Sequence, residues 1–164
     1  MDKIKTIADI LRVYKSWPMQ PEAFSYVQKG KVTTLSSSQF LDYAECMALG
    51  LHDIGIKKGD HLGIYAKSSP FWLIVSIAAQ SIGAIIVPFM PRLSEQSFIL
   101  QVTDSSPRLL FIGDHEDWLY VWKNAGLFEA TVSIDEGSEE KTTHDFYDLI
   151  RKGALLRAEN PHLL

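Results

Sequence analysis

Cysteine is almost missing from this sequence. Cys46 stands alone among 164 residues and excludes an internal disulfide. A fold held by its core, in a reducing cytoplasm, is the expectation. A basic surface is missing too. Sixteen Lys and Arg against twenty Asp and Glu leave a net charge of −4, with no basic run to serve as an electrostatic footprint for nucleic acid. The opening "MDKIKTIADI" has no long apolar stretch after its charges and does not read as a secretory signal.

The chemical motifs that would announce an active site are also absent. There is no GxGxxG and no GxxxxGK[ST] to bring backbone N–H groups against a phosphate. In "GLHDIGIKK", Gly50 and Gly55 have the Walker spacing, but Ile56 stands where lysine is required. That stretch reads as a helix stop and a turn. His52, His61, His115, His144 and His162 show no HExxH or paired metal-binding spacing. No GxSxG elbow occurs. The acidic cluster "DHEDW", Asp114 to Trp118, reads as a helix first turn whose carboxylates complement the macrodipole. Cys46 has no basic neighbour or helix N-terminus to activate it and reads as an inert packed thiol. Trp72, Trp118 and Trp122 read as core anchors. No catalytic, cofactor-binding or metal-binding residue is assigned from these patterns.

What is present is an ordinary globular composition, 46% hydrophobic and 22% charged, in a chain long enough for one domain with its own core. Ile7, Ile10, Leu11 and Tyr14 predict a short amphipathic helix that Pro18 ends. Two β-prone runs around Lys29-Gly30 predict a hairpin. Ser36 and Gln39 form a capping box for a helix with its stripe at Phe40, Tyr43, Ala44, Met47, Leu51 and Ile54, ending at Gly55. Cys46 and His52 fall off that stripe.

From Gly59 the pattern alternates. "HLGIYA" predicts a strand. The uncharged run Ser68 to Pro91 is long enough to span a bilayer, but its punctuation splits it. Ser69 and Pro70 start a helix, Ile82-Gly83 stops it, and "AIIVPF" follows as a strand whose consecutive β-branched residues suit burial on both faces. No transmembrane span is expected. Ser94 caps a helix through Val102, "RLLFIG" is a strand, Asp114 caps a helix ending near Gly126, and "ATVSI" is the fourth strand. "DEGSEEKTT" reads as a polar loop, "DFYDLI" as a last short helix, and "RAENPHLL" as a tail with no element to close the domain. The expected fold is α/β. A parallel sheet of βαβ units with right-handed crossovers is flanked by helices and preceded by an N-terminal helix and hairpin.

In order, "KVTTLSSSQFLDYAECMALGLHDIGIKKGDHLGIYAKSSPFWLIVSIAAQSIGAIIVPFMPRLSEQSFILQVT", continuing through Asp104-Ser105-Ser106-Pro107 into "RLLFIGD", resembles the N-terminal part of the AMP-forming acyl-CoA synthetases, the adenylate-forming superfamily. The likeness runs from about Ala23 to Asp114. Gly55, Gly59-Asp60, Trp72, Gly83-Ala84, Val87-Pro88 and Pro91 match best, and these family positions are chiefly structural. The continuation from Asp104 to Trp118, ending in "RLLFIGDHEDW", is similar to the long-chain fatty acid branch. Ser68-Ser69-Pro70-Phe71 departs from the family's usual Asn and Glu before Trp72, and "FMPR" from its aromatic-Pro-Thr stretch.

The resemblance implies an N-terminal subdomain over 1–164: helix, hairpin and capping helix at 1–58, a βαβ core at 59–135, and polar loop, short helix and tail at 136–164. It implies a parent that joins a fatty acid to coenzyme A through an acyl-adenylate, using ATP and Mg. The family's Ser/Thr/Gly-rich loop and Pro-Lys-Gly would lie beyond Leu164, so no family catalytic residue is carried over. This chain alone is then expected to be inactive, with the remainder of the ligase as its partner and self-association through uncovered apolar surface. A free-standing, non-enzymatic α/β interaction module is the alternative. A flavodoxin-like domain with nucleotide at a strand-end crevice is a third.

Overall fold

The computed structural model describes residues 4–28, 30–90, 92–113, 121, 123–134 and 142–160. Helix α1 (Ala8–Lys15) comes first. Instead of a side chain at the position before the helix, the Asp9 carboxylate accepts the backbone N–H groups of Lys5 and Thr6, each at 2.9 Å. Strands β1 (Phe24–Gln28) and β2 (Lys31–Leu35) then pair antiparallel, with Gln28 opposite Lys31 and Gly30 at φ +74° in the turn. The hairpin is as expected; Lys29 lies outside the described residues. Its inner residues join the core, Phe24 stacked on Phe40 and Tyr26 edge-on to Phe71.

Helix α2 (Ser37–Asp53) opens with the expected capping box between Ser36 and Gln39. The remaining elements are β3 (His61–Tyr65), α3 (Pro70–Ser81), β4 (Ile85–Phe89), α4 (Glu95–Ser105), β5 (Leu109–Ile112), β6 (Ala130–Ser133), β7 (His144–Asp145) and α5 (Phe146–Glu159). A 3-10 turn, Ala125–Leu127, contains Gly126. The helix expected from Asp114, its acidic cluster with His115 and Trp118, and also Trp122, Pro91, the loop at 135–141 and His162 fall outside the described residues.

The five strands β3 to β7 form one parallel sheet in the order β4-β3-β5-β6-β7. Alternate residues feed two separate cores. Leu62, Ile64, Leu109, Phe111 and Val132 meet α2, α3 and α5 on one face. Tyr65, Phe89, Leu110 and Ile112 meet Phe98 and Val102 of α4, with Val121 and Phe128, on the other. Strand burial on both sides follows from helices covering both faces of a parallel sheet. Gly63 serves the second core by leaving space: a Cβ there would lie 2.8 Å from the Phe89 ring and 2.6 Å from Leu110.

The uncharged run divides as its punctuation predicts. The Ser69 hydroxyl accepts the Trp72 N–H, Pro70 is the first helical residue, and Gly83 takes φ +79° after Ile82. Among the described residues no helix is long and apolar enough to cross a membrane.

Three expectations need correction. Strand β4 is not buried on both faces; it is an edge strand, and Ile85 is 48% exposed. Helix α4 continues past Val102 to Ser105, where Ser106 takes a left-handed conformation at φ 45°. Cys46 is packed as expected, and although it lies off the apolar stripe of α2 it is buried because α5 covers that second side of the helix. Most consequential, the final helix is not short. It runs from Phe146 to Glu159, buries Phe146, Leu149, Ile150 and Gly153, and closes the domain over α2. Strand β7 has only two residues, too few for periodicity to reveal.

Candidate functional site

Numbered along the chain, the sheet's strands lie in the order 2-1-3-4-5, so the chain reverses direction between β3 and β5. Open α/β sheets bind ligands outside the carboxyl ends of the strands at such a point. Here β3 leads into Ala66, Lys67, Ser68 and Ser69, and the Gly113 N–H ties the end of β5 to the Tyr65 carbonyl at 3.0 Å. The Ser69 hydroxyl is committed to the α3 cap, 3.2 Å from the Trp72 nitrogen. Lys67 and Ser68 are exposed. The crevice is therefore a position favoured by topology, where the described Ser69 does capping chemistry.

Beside β6, strand β7 carries His144 and Asp145, and the first turn of α5 carries Asp148. The Asp145 carboxylate caps α5 by accepting the Asp148 N–H at 2.8 Å. Burial, then the neighbouring Asp148 carboxyl, pushes the Asp145 pKa up. Asp148 is pushed down by its bond with Asp145 and by Arg151, to which it is hydrogen-bonded. Burial holds His144 below its ordinary value. Thr131 and Thr143 exchange hydrogen bonds, N–H to hydroxyl, at 3.1 and 3.3 Å. These contacts secure the start of α5 against the sheet.

At the opposite end of the sheet Arg108 joins three loops. Its Nη1 donates to Asp60 at 2.5 Å and to the Gly55 carbonyl at 3.2 Å, and its Nε and Nη2 donate to Glu129 at 3.0 and 2.7 Å. Asp60 precedes β3, Arg108 precedes β5 and Glu129 precedes β6, so one guanidinium fixes the starts of three strands. The Lys57 N–H foremost, and then Arg108, hold the Asp60 carboxyl below its usual value of 3.8. Arg108 does the same to Glu129, usually 4.5. With folded pKa values below unfolded ones, this stability is present above the ordinary carboxylate range and is lost as pH falls through it. Urea midpoints measured from pH 6 to pH 3 should therefore fall, and should fall less steeply in Arg108→Leu. An unchanged slope in that variant would show that the clamp does not couple to folding.

A cleft of about 290 Å³ separates α1 from α2, with Tyr14, Trp17, Met19 and Leu41 among its walls. Trp17 stacks on Tyr14 at 4.8 Å. The Ser37 hydroxyl accepts the Gln20 N–H, while Asp42 and Glu45 on its rim pair with Arg157 and with Lys15 and Arg157. Its volume sits at the small end of ligand pockets.

The residues weighed from sequence do not converge. His52 lies in the last turn of α2, His61 places Nδ1 2.5 Å from the Ser105 carbonyl, and His144 lies in β7. Gly50 is inside α2 and Gly55 follows its end, as the helix-stop reading predicts. Cys46 is buried, and burial pushes its thiol pKa up. Trp72 is half-buried against the larger core. Among the described residues no group of three or more His, Cys, Asp or Glu could hold a metal ion. The Arg108 clamp escaped sequence reading because its partners share no local pattern. Asp145 had a usable signal, an N-cap residue with an acidic residue three positions on.

Comparison with known proteins sets this scaffold in context. Long-chain-fatty-acid–CoA ligase 1 of Schizosaccharomyces pombe is 30% identical over 95 residues, which is 58% of this chain and 14% of that protein. Acetyl-coenzyme A synthetase of Methanothrix thermoacetophila is 30% identical over 102 residues, 61% of this chain and 16% of that one. Among solved structures, acetoacetyl-CoA synthetase from Streptomyces lividans superposes with a TM-score of 0.75 at 18% identity, covering 88% of this chain and 25% of that chain, a likeness of fold. The chain thus spans well under a fifth of these two curated relatives. The model of the AMP-binding enzyme family matches residues 13–159, from within α1 to the last residue of α5, and the chain belongs to that family.

Proposed function

We propose that this chain is the N-terminal portion of an ATP-dependent, AMP-forming fatty acyl-CoA ligase and serves it as scaffold. The observation that carries the reading is a pair of coverages: the family model takes in residues 13–159, yet the chain matches only 14% of the S. pombe ligase. In the whole protein, acid, ATP and coenzyme A would give acyl-CoA, AMP and pyrophosphate, with Mg neutralising the phosphates. The fatty-acid preference is supported by that relative, a long-chain-fatty-acid–CoA ligase, and by the resemblance of the stretch ending in "RLLFIGDHEDW" to the long-chain branch. A cytoplasmic location goes with it, supported by the single cysteine.

Scaffolding also fits the exposed apolar side chains spread over several elements, with Leu100 at 70% and Leu155 at 66% exposure. The partner proposed to cover them is the rest of the ligase or a second copy. Fatty-acid-dependent ATP–pyrophosphate exchange tests the proposal. The chain alone should give exchange no higher than a boiled control, because charge developing on a transferred group needs positioned donors and cations. Adding the gene's downstream portion should restore exchange and acyl-CoA formation. Exchange by the chain alone, or a downstream portion fully active and stable without it, would overturn the scaffold reading and favour a free-standing module.

A further inference from the structure

Among the described residues no strand pairs with the outer edge of β4, a run of five uncharged residues, Ile85-Ile86-Val87-Pro88-Phe89, of which four are β-branched or aromatic. Ile85 is 48% exposed, and Met90, just past its end, is 69% exposed. An apolar, uncharged edge of this kind is a template for pairing with another chain. The hydrogen-bond phase of the ladder decides which groups it presents. The Ile85 N–H donates to the Asp60 carbonyl at 2.8 Å, with His61 opposite Ile85 and Ile64 opposite Pro88. In a parallel ladder, alternate residues of a strand bond to the same neighbour. Ile85, Val87 and Phe89 therefore turn their backbone groups toward β3, and Ile86 and Pro88 turn theirs outward. Pro88 occupies a place where its missing N–H costs the sheet no bond and deprives the edge of one of its two outward donors.

The other edge is blunted differently. Strand β7 has two residues and leads directly into α5, leaving almost no backbone to pair. The two exposed margins of the parallel sheet thus use two separate devices, a proline and a short strand. We propose that Pro88 guards the β4 edge against strand addition by a second copy of this chain, so that any association of the native protein proceeds through side chains and not through main-chain pairing at β4. This inference is independent of the ligase reading, since it concerns the sheet and not the reaction.

The test replaces Pro88 by a strand-forming residue that supplies the N–H. The 164-residue chain and Pro88→Thr are incubated at equal concentration and followed by thioflavin T fluorescence and by the amide I band of intermolecular β-structure. Pro88→Thr should assemble at least tenfold faster than the native chain. Adding Ile85→Lys, which puts a charge at an exposed site on the same edge, should return the rate to the native level. If circular dichroism shows Pro88→Thr unfolded, Pro88→Ala, which restores the donor with less bulk, is read in the same way. The proposal is overturned if the proline-free variant assembles no faster than the native chain. It is equally overturned if the Ile85→Lys double variant assembles as fast as the single one, because assembly would then arise from general destabilisation and not from this edge.

Discussion

Replacing Gly153 by alanine should cost this protein at least about 3 kcal/mol, a large share of the 5–15 kcal/mol typical of a whole domain. The reason is the closeness of α5 to α2. A Cβ on Gly153 would lie 1.8 Å from the Cys46 carbonyl oxygen and 2.9 Å from the Gly50 nitrogen, all backbone atoms inside a helix. Across the same crossing, a Cβ on Gly50 would lie 2.1 Å from the Leu149 carbonyl oxygen. No rotamer change relieves such a clash, so the helices would have to part by on the order of 1.5 Å to restore ordinary contact. Parting them loosens Phe146, Leu149 and Ile150, all buried in the larger core. Urea denaturation should show the loss, and near-UV circular dichroism should report loosened aromatics around Phe71, Phe146 and Tyr147, whose rings meet edge to face. Gly126→Ala is the control, because nothing lies within 4 Å of a Cβ there. Its effect should stay within about 0.5 kcal/mol. Equal effects for the two substitutions would mean that α5 does not dock as described.

Phe98→Ala should cost about 3–5 kcal/mol, and the loss should be local before it is global. Phe98 is fully buried at the middle of the smaller core, with ring centroids 5.3 Å from Tyr65, 5.5 Å from Phe89 and 6.4 Å from Phe128. Only Phe98 and Val102 of α4 are buried, so the truncated helix keeps one anchor on the sheet. The opposite face holds α2, α3 and α5 around a larger cluster that Phe98 does not touch. Hydrogen exchange should therefore show α4 amides losing protection well before those of α2. Uniform loss over both faces would show instead that the two cores unfold as one cooperative unit.

Several polar residues bond within the fold itself. Capping by Ser36, Ser69, Ser94 and Asp145 and the Arg108 clamp fix where helices and strands begin. Chemistry in the proposed whole ligase would be supplied by residues that this sequence does not contain.

By itself the sequence determined what depends on residues a few positions apart. Ser36 with Gln39, Ser69 with Pro70 and the stop at Gly83 each act within one turn, and they separated α3 from β4 inside a run that could have been one membrane helix. The alternation of strands and helices fixed the parallel sheet for the same reason, since period and punctuation are local signals. The family resemblance was likewise legible because it rests on ordered short motifs. Tertiary structure alone decided what depends on distant partners. The helix expected only over "DFYDLI" runs on through Gly153, where α2 approaches too closely for a side chain. Cys46 is buried by the same approach. Strand β4 became an edge because β5 returned to the far side of β3, which no feature of Ile85–Phe89 encodes. Arg108 found Glu129, Asp60 and Gly55 at separations of 21, 48 and 53 residues, distances over which a sequence pattern carries no sign of contact until the sheet brings the strand ends together.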